Sequence, residues 1–172
     1  KGHSWDVCID NSASTPEWVT LSAELLKDSV GLYFYVSSRS AYADFSTVPM
    51  SAAEPTYTYE TAGVQPGADN LPYGLRKALC ERETLRFFGD RATIFRPALI
   101  IGPGDLTDRF TYWPVRIHRG GEVMAPGDPS DPCQIIDARD LSEWMIRMAE
   151  EEQTGIYNAL GPAIPRPMEQ LL

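Results

Sequence analysis

The sequence contains no cluster of lysines or arginines, and its 172 residues carry a formal net charge of −9. A nucleic-acid partner is therefore not expected, because such binding depends on a basic patch. No apolar run approaches the roughly 20 residues that a membrane-spanning helix needs, and no signal-peptide pattern opens the chain. A small anionic ligand is still compatible with this charge, since it needs only a local arginine or a helix N-terminus.

Residues that bind metals are equally sparse. The three cysteines, Cys8, Cys80 and Cys133, are far apart and form no C-x-x-C pair, and the chain has only two histidines. A zinc site is therefore not expected. An odd number of cysteines without a signal peptide favours a reducing cytoplasm, in which each thiol is a small core residue.

The remaining composition is that of a globular domain, with 43% hydrophobic and 23% charged residues. Apolar runs of strand length alternate with segments of helical periodicity, which predicts a single α/β domain over residues 1–172 with a mainly parallel sheet. Strands are predicted at 5–10, 32–36, 92–95, 98–101, 122–125, 134–136 and 155–159. Helices are predicted at 16–29, 75–88, 108–119 and 141–151, with another beginning at 164. A strand begins at once and the last helix is unfinished, so we expect a fragment that is incomplete at both ends.

Tyr73 and Lys77 are four residues apart at the start of the predicted helix 75–88. Residues at this spacing are neighbours on one helix face. An ammonium beside a phenol favours the phenolate and lowers the tyrosine pKa, so the pair predicts a proton-transfer group. A chance pairing is the alternative. The long irregular segment 39–72 leads directly to Tyr73, and a loop of this length is usually a functional lid or a disordered segment.

Two hydroxyls, Ser37 and Ser38, follow the predicted strand 32–36. Ligands of open α/β sheets bind beyond the carboxyl ends of the strands, so this position favours a binding role. A simple turn is an equally good explanation, because serine is common in turns.

Four segments in this order resemble the extended short-chain dehydrogenase/reductases, also called NAD-dependent epimerase/dehydratases. Ser37-Ser38 with Tyr42 resembles the S-S-x-x-x-Y segment of that family, and Tyr73 with Lys77 resembles its Y-x-x-x-K motif. Arg96-Pro97 followed by Gly102-Pro103 resembles R-P-x-x-x-x-G-P, and residues 136–141 are similar to V-D-V-R-D followed by an apolar residue. The resemblance implies a Rossmann-like fold with helices on both faces of the sheet.

The resemblance also implies roles for individual residues. Ser38 corresponds to the serine or threonine that binds the substrate oxygen, Tyr73 to the general acid/base, and Lys77 to the lysine that lowers the tyrosine pKa and binds the nicotinamide ribose. Further cofactor contacts are implied for Asn11, Ser12, Ala13, Pro97 and Leu99. Substrate contacts, in a region from about residue 105 onward, are implied for Arg109, Trp113, Arg116 and Arg139. Each of these arginines could instead be a solvated or ion-paired surface group.

One motif of the family is missing. No G-x-x-G-x-x-G occurs in the 172 residues, although its glycines let the backbone approach the cofactor pyrophosphate. The residue that separates NAD from NADP follows that motif, so the resemblance implies NAD or NADP without deciding between them. We expect no measurable binding of either cofactor by these 172 residues alone.

The function implied is an NAD(P)-dependent oxidoreductase or epimerase/dehydratase that acts on an alcohol or carbonyl, with sugar nucleotides as one candidate substrate class. The alternative is a non-catalytic NAD(P)-binding or RNA-associated scaffold of the same fold. Helices 16–29 and 75–88 correspond to a pair that family members use for homodimers. Both helices could equally serve only to cover the sheet.

Overall fold

A computed structural model describes residues 2–171 as two compact units. The first unit comprises the chain up to Pro97 together with Ile146–Asn158, and the second comprises Ala98–Met145 with the residues from Ala159 onward. Each unit has its own sheet. None of the helices within residues 2–171 has the length and apolar character needed to cross a membrane.

Strands and helices alternate along most of the described chain. The strands are β1 (Trp5–Asp10), β2 (Val30–Val36), β3 (Ala92–Pro97), β4 (Leu99–Ile101), β5 (Pro132–Asp137), β6 (Gly155–Ala159) and β7 (Gly161–Pro167). The helices are α1 (Pro16–Leu26), α2 (Tyr73–Phe88), α3 (Tyr112–His118), α4 (Ala138–Glu150) and α5 (Met168–Leu171). A short 3-10 helix at Arg39–Ala41 follows β2.

The sheet of the first unit has the strand order β1-β2-β3-β6, and β2 is parallel to both β1 and β3. Its central strands are apolar on both faces, as expected for a covered parallel sheet, and Tyr33, Phe34 and Tyr35 are fully buried. Helices α1 and α2 add Val19, Ala23 and other apolar residues to this core. Because β1, β2 and β3 run in the same direction, their carboxyl ends lie at one edge of the sheet.

The sheet of the second unit has the order β4-β5-β7. β4 and β5 are parallel, whereas β5 and β7 are antiparallel, with Pro132 opposite Pro167. The predicted α/β fold with a mainly parallel, Rossmann-like sheet is therefore confirmed.

The predicted helix 16–29 is too long, because α1 ends at Leu26 and β2 already begins at Val30. Gly31, just beyond the predicted helix, lies inside β2. A Cβ atom at Gly31 would lie 2.7 Å from the carbonyl oxygen of Asp6, so the glycine allows close approach of β1. Pairing with β1 therefore decides the conformation of this segment.

Other predicted elements differ in the structure, and the helix predicted at 108–119 is shortened to α3, Tyr112–His118. No strand is observed at 122–125, which is irregular. The helix expected from residue 164 is instead the strand β7, followed by the single turn α5. Helix α2 begins at Tyr73 rather than at residue 75, so it includes Tyr73 as its first residue.

Candidate active site

Lys77 lies at the carboxyl ends of β1 and β2 and is only 6% exposed. Its ammonium group donates hydrogen bonds to the carbonyl oxygens of Ala13 (3.2 Å) and Val36 (3.0 Å) and to the hydroxyl of Tyr35 (3.0 Å). Tyr35 in turn donates to the carbonyl oxygen of Ala13 at 3.0 Å. Helix α2, strand β2 and the turn after β1 are thus joined through one buried cation.

Burial lowers the pKa of Lys77 below its usual value, because the charged form loses hydration. The acidic groups Asp10 and Glu81 act in the opposite direction and favour the ammonium. Burial also raises the pKa of the Tyr35 phenol, so this tyrosine keeps its proton and remains able to donate to Ala13.

Tyr73 is the first residue of α2, and its side chain is 47% exposed. The guanidinium carbon of Arg76 lies 5.9 Å from the centre of its ring. Within the described part of the chain the Tyr73 hydroxyl has no hydrogen-bond partner, and the ammonium of Lys77 donates its three hydrogen bonds to other groups. The contact between Tyr73 and Lys77 therefore stays a prediction.

A glycine lets the segment that carries Ser38 approach the start of α2 closely. The Ser38 hydroxyl accepts a hydrogen bond of 3.1 Å from the amide of Ser40 and so caps the 3-10 helix. A Cβ atom at Gly74 would lie only 2.2 Å from the carbonyl oxygen of Ser40. Glycine at this position lets the first turn of α2 pack directly on the segment that carries Ser38.

The predicted cofactor turn, Asn11–Ala13, is held by the carboxylate of Asp10. One oxygen of Asp10 accepts hydrogen bonds from the amides of Ser12 (3.2 Å) and Ala13 (3.0 Å), and the other accepts from Tyr33 at 2.6 Å. Asp10, Ser12 and Ala13 line a cleft of about 390 Å³. Ala13 is therefore brought together with Lys77, as a shared cofactor site would require.

The two other predicted cofactor residues lie in different units. Pro97 is buried at the end of β3 in the first unit, and Leu99 begins β4 in the second. Pro97 therefore belongs to the same strand edge as Asp10 and Ser37.

The predicted substrate residues all lie in the second unit, and each contacts residues that are close to it in sequence. Arg109 donates to the Thr107 hydroxyl at 3.0 Å, and Arg116 donates to the carbonyl oxygens of Gly120 and Glu122. The ring of Trp113 packs edge-on against Tyr112, with ring centres 5.1 Å apart.

Arg139, the fourth predicted substrate residue, forms a two-point ion pair with Asp137, at 2.9 and 2.7 Å. Hydrogen bonding to Arg139 lowers the pKa of Asp137 to about 2. The Arg139 side chain is exposed, so it remains accessible to solvent and to ligands.

Sequence reasoning missed a buried ion pair between Glu81 of α2 and Arg96 of β3. Arg96 donates two hydrogen bonds to the carboxylate, from Nε at 3.0 Å and from Nη2 at 2.7 Å. Ser37 donates a third at 2.5 Å. Two signals could have identified this pair. Glu81 follows Lys77 by four residues, which places both on one helix face, and Arg96 is a charge in an otherwise apolar strand.

The profile described as "NAD dependent epimerase/dehydratase family" matches residues 18–159. No curated protein sequence matches the chain significantly.

Several solved structures share the fold at low sequence identity. RMD from Pseudomonas aeruginosa, complexed with NADPH, has a TM-score of 0.67 at 18% identity, over 96% of this chain and 63% of its own. The dTDP-glucose 4,6-dehydratase from Bacillus anthracis, in complex with NAD, has a TM-score of 0.70 at 16% identity, over 96% of this chain and 56% of its own. UDP-N-acetylglucosamine 4-epimerase from Bacillus cereus has a TM-score of 0.67 at 14% identity, over 97% of this chain and 60% of its own.

The chain thus spans between 56% and 63% of the length of these three structures. Similarity at this level of identity establishes a common fold. The family profile adds sequence evidence across most of the chain, from α1 to β6. This protein therefore belongs to the NAD dependent epimerase/dehydratase family.

Proposed function

We propose that the protein is an NAD(P)-dependent oxidoreductase or epimerase/dehydratase that acts on an alcohol or carbonyl substrate. The observation that carries this proposal is Lys77, a buried cation bonded to the Asn11–Ala13 turn and placed one helical turn after the exposed Tyr73. Sugar nucleotides are the first substrate class to test, because two of the structural neighbours are named for reactions of dTDP-glucose and UDP-N-acetylglucosamine.

Tyr73 is the general acid/base in this proposal. Its half-exposed phenol can reach a bound substrate and exchange a proton with it. As a substrate alcohol is oxidised, its hydroxyl proton passes to Tyr73 Oη, and the carbon that bears this hydroxyl loses hydride. In the reverse direction Tyr73 returns the proton to the carbonyl oxygen.

Ser38 orients the reacting oxygen. Its own oxygen accepts the amide hydrogen of Ser40, so the hydroxyl proton is available to a ligand. A donor at this place stabilises negative charge that develops on the substrate oxygen.

The residues fit the nicotinamide end of the cofactor, which accepts or supplies hydride when it is bound. Ser12 and Ala13 line the cleft of about 390 Å³, and Lys77 donates a hydrogen bond to the carbonyl oxygen of Ala13. Pro97 and Leu99 are assigned to the nicotinamide side by the family resemblance. Lys77 would bind a ribose hydroxyl by giving up one of its present acceptors.

The second unit is proposed to bind the substrate through Arg109, Trp113, Arg116 and Arg139. Guanidinium groups pair well with the diphosphate of a sugar nucleotide, and an indole ring offers a surface for the base or sugar. Arg109 and Arg139 are both exposed and therefore accessible to a substrate.

Replacing Tyr73 by phenylalanine in the complete protein tests the central role. Turnover of a sugar nucleotide should fall by about 10²–10⁴-fold, the usual contribution of a positioned acid/base group. Binding of NADH or NADPH, followed by fluorescence, should be unchanged. Tyr59→Phe, in the irregular segment before α2, is the matched control and should retain activity. Equal turnover by Tyr73→Phe and the parent would remove the assignment.

We further propose that the protein forms a homodimer through α1. Three apolar side chains of α1 point to solvent, with exposures of 56% for Trp18, 67% for Leu21 and 79% for Leu25. Such a contiguous apolar patch is typical of a protein–protein contact. Leu21→Glu with Leu25→Lys should give a monomer by light scattering, whereas a parent that is already monomeric would disprove the dimer.

The three free thiols fit the cytoplasm as the compartment of the protein.

A further inference from the structure

The ion pair between Glu81 and Arg96 is almost fully removed from solvent, with 3% exposure at each residue. Buried ion pairs contribute little net stability, because the cost of dehydrating both charges offsets their attraction. An apolar pair of similar size would fill the same space. The presence of charges here therefore favours a role in fixing geometry.

The carboxylate of Glu81 connects α2 to the end of β2. Ser37, the neighbour of Ser38, donates to Glu81 Oε1 at 2.5 Å, and its amide donates to the carbonyl oxygen of Phe95 at 2.7 Å. Because α2 also carries Tyr73 and Lys77, Glu81 sets the position of the serine segment relative to that helix.

The guanidinium of Arg96 connects the Glu81–Arg96 ion pair to the 43–72 loop, the segment between Tyr42 and Tyr73. Its Nη1 donates to the carbonyl oxygen of Ala52 at 2.9 Å, and its Cζ lies 4.6 Å from the centre of the Tyr42 ring. Tyr42 donates to Asn158 at 2.6 Å, and Asn158 donates to the carbonyl oxygen of Met50 at 3.0 Å. Two backbone carbonyls of the loop are therefore held by side chains from β3 and β6.

We propose that Glu81 and Arg96 are positioning residues of the active site. Arg96 holds the 43–72 loop in place, and this interaction is the latch. Glu81 fixes the Ser37–Ser38 segment against α2, so that Ser38 and Tyr73 can both reach one substrate oxygen. The loop ends at Tyr73, so a displacement of the loop is transmitted to the general acid/base. The effect on turnover rests on the function proposed above, whereas the effect on the loop does not.

Hydrogen–deuterium exchange in the complete protein tests the latch without a substrate. The reporters are the amides of Ala43 and Tyr57, which donate to the carbonyl oxygens of Pro55 at 3.0 Å and Ala41 at 2.8 Å. Arg96→Lys and Glu81→Gln should accelerate their exchange by about tenfold, because the loop opens more often when its side-chain bonds are lost. The control is Glu83→Gln, which breaks the exposed Glu83–Arg86 pair on the same helix and should leave this exchange unchanged.

A double variant, Glu81→Met with Arg96→Met, separates positioning from folding. Apolar groups of similar length replace both charges, so no unpaired charge is left in the core. We expect a melting temperature near that of the parent, faster exchange in residues 43–57, and a kcat lower by about 10²-fold, since small misplacements have such effects. KM should change by less than about threefold, because the substrate contacts of the second unit are intact.

The outcomes are distinct. Parent-like exchange of Ala43 and Tyr57 in both Arg96→Lys and the double variant would overturn the latch, whatever the enzyme does. Faster exchange with unchanged kcat would overturn the positioning role of the pair in catalysis. A parent protein that turns over no sugar nucleotide would count against the proposed substrate class, and the exchange experiment would still decide the latch.

Discussion

At the scale of single residues, the position of Lys77 is a compromise between hydration and hydrogen bonding. Burial removes water from the ammonium, and three protein acceptors, Ala13, Tyr35 and Val36, replace that water. An ammonium has three donors, so these bonds use its full capacity. Any new partner, whether Tyr73 or a ribose hydroxyl, must therefore take the place of one of them.

The lowered pKa of Lys77 predicts a direct spectroscopic result. The chain has three lysines, Lys1, Lys27 and Lys77, so the lysine side-chain NMR signals are few enough to follow individually. The Lys77 signal should titrate below the usual 10.5, because burial disfavours the charged form. Lys77→Arg should abolish this signal and leave the other two.

The same shift has a defined sign for stability. Between the folded-state pKa and 10.5, the unfolded chain still holds a proton that folded Lys77 has lost. The Lys77 contribution to the free energy of unfolding therefore increases as pH rises through this window. A Lys77 signal that titrates at or above 10.5 would contradict the desolvation argument.

The sequence predicted Tyr73 and Lys77 as neighbours on one helix face, and the helix is confirmed. What the spacing could not predict is how differently the two side chains are buried. α2 starts at Tyr73, which lies at the open end of the helix, whereas Lys77 lies one turn further, where α2 packs on the sheet. This difference depends on tertiary packing, which residue spacing does not contain.

At the scale of elements, α2 combines most of the candidate site in one helix. It carries Tyr73, Lys77 and Glu81 at intervals of four residues, so one face supplies the proposed proton-transfer group, the buried cation and the carboxylate bound to Ser37. Its position depends on Gly74, where the helix meets the carbonyl oxygen of Ser40.

Gly74→Ala should destabilise the first unit despite the higher helix propensity of alanine. The new Cβ would lie 2.2 Å from the Ser40 oxygen and 3.0 Å from the Tyr57 ring, so either α2 or the 3-10 helix must move. Overpacking of this kind costs about 1–3 kcal/mol. Urea unfolding at constant pH measures the change.

The control for this prediction is Arg86→Ala on the exposed part of α2. It removes the ion pair between Arg86 and Glu83, which contributes little to stability because solvent screens the exposed Arg86 charge. A Gly74→Ala protein that is as stable as the parent, with an unchanged exchange pattern at Ser40, would show that the close approach is not required.

The strands differ in how well the sequence predicts them, and β6 and β7 illustrate the reason. β6 has the predicted bounds, because an apolar segment follows Gly155 directly. The residues from 164 onward were expected to begin a helix, and Pro162, Pro165 and Pro167 give no strand signal. The strand conformation of β7 comes from antiparallel pairing with β5, a contact about 30 residues away in sequence that periodicity does not reveal.

At the scale of the whole molecule, the proposed chemical roles are divided between the two units. The first contains Ser38, Tyr73, Lys77 and the Asn11–Ala13 turn, and the second contains the four predicted substrate residues. The first unit is therefore proposed to supply proton transfer, and the second to bind the substrate. The cofactor pyrophosphate, in contrast, binds to backbone amides at a helix N-terminus that follows closely spaced glycines. The 172 residues contain no G-x-x-G-x-x-G motif of this kind.

This division predicts that the 172 residues alone do not bind NAD or NADP measurably. Lys77 and the Asn11–Ala13 turn contact only the nicotinamide end in the proposed site, so the strongest anion contacts of the cofactor would be missing. Titration calorimetry of the 172-residue chain should give no heat of binding with either cofactor. The matched measurement on the complete protein should give a saturable signal that Lys77→Met weakens. Micromolar binding by the isolated 172 residues would mean that these residues supply a pyrophosphate site of another kind, because the nicotinamide end alone makes too few contacts for such affinity.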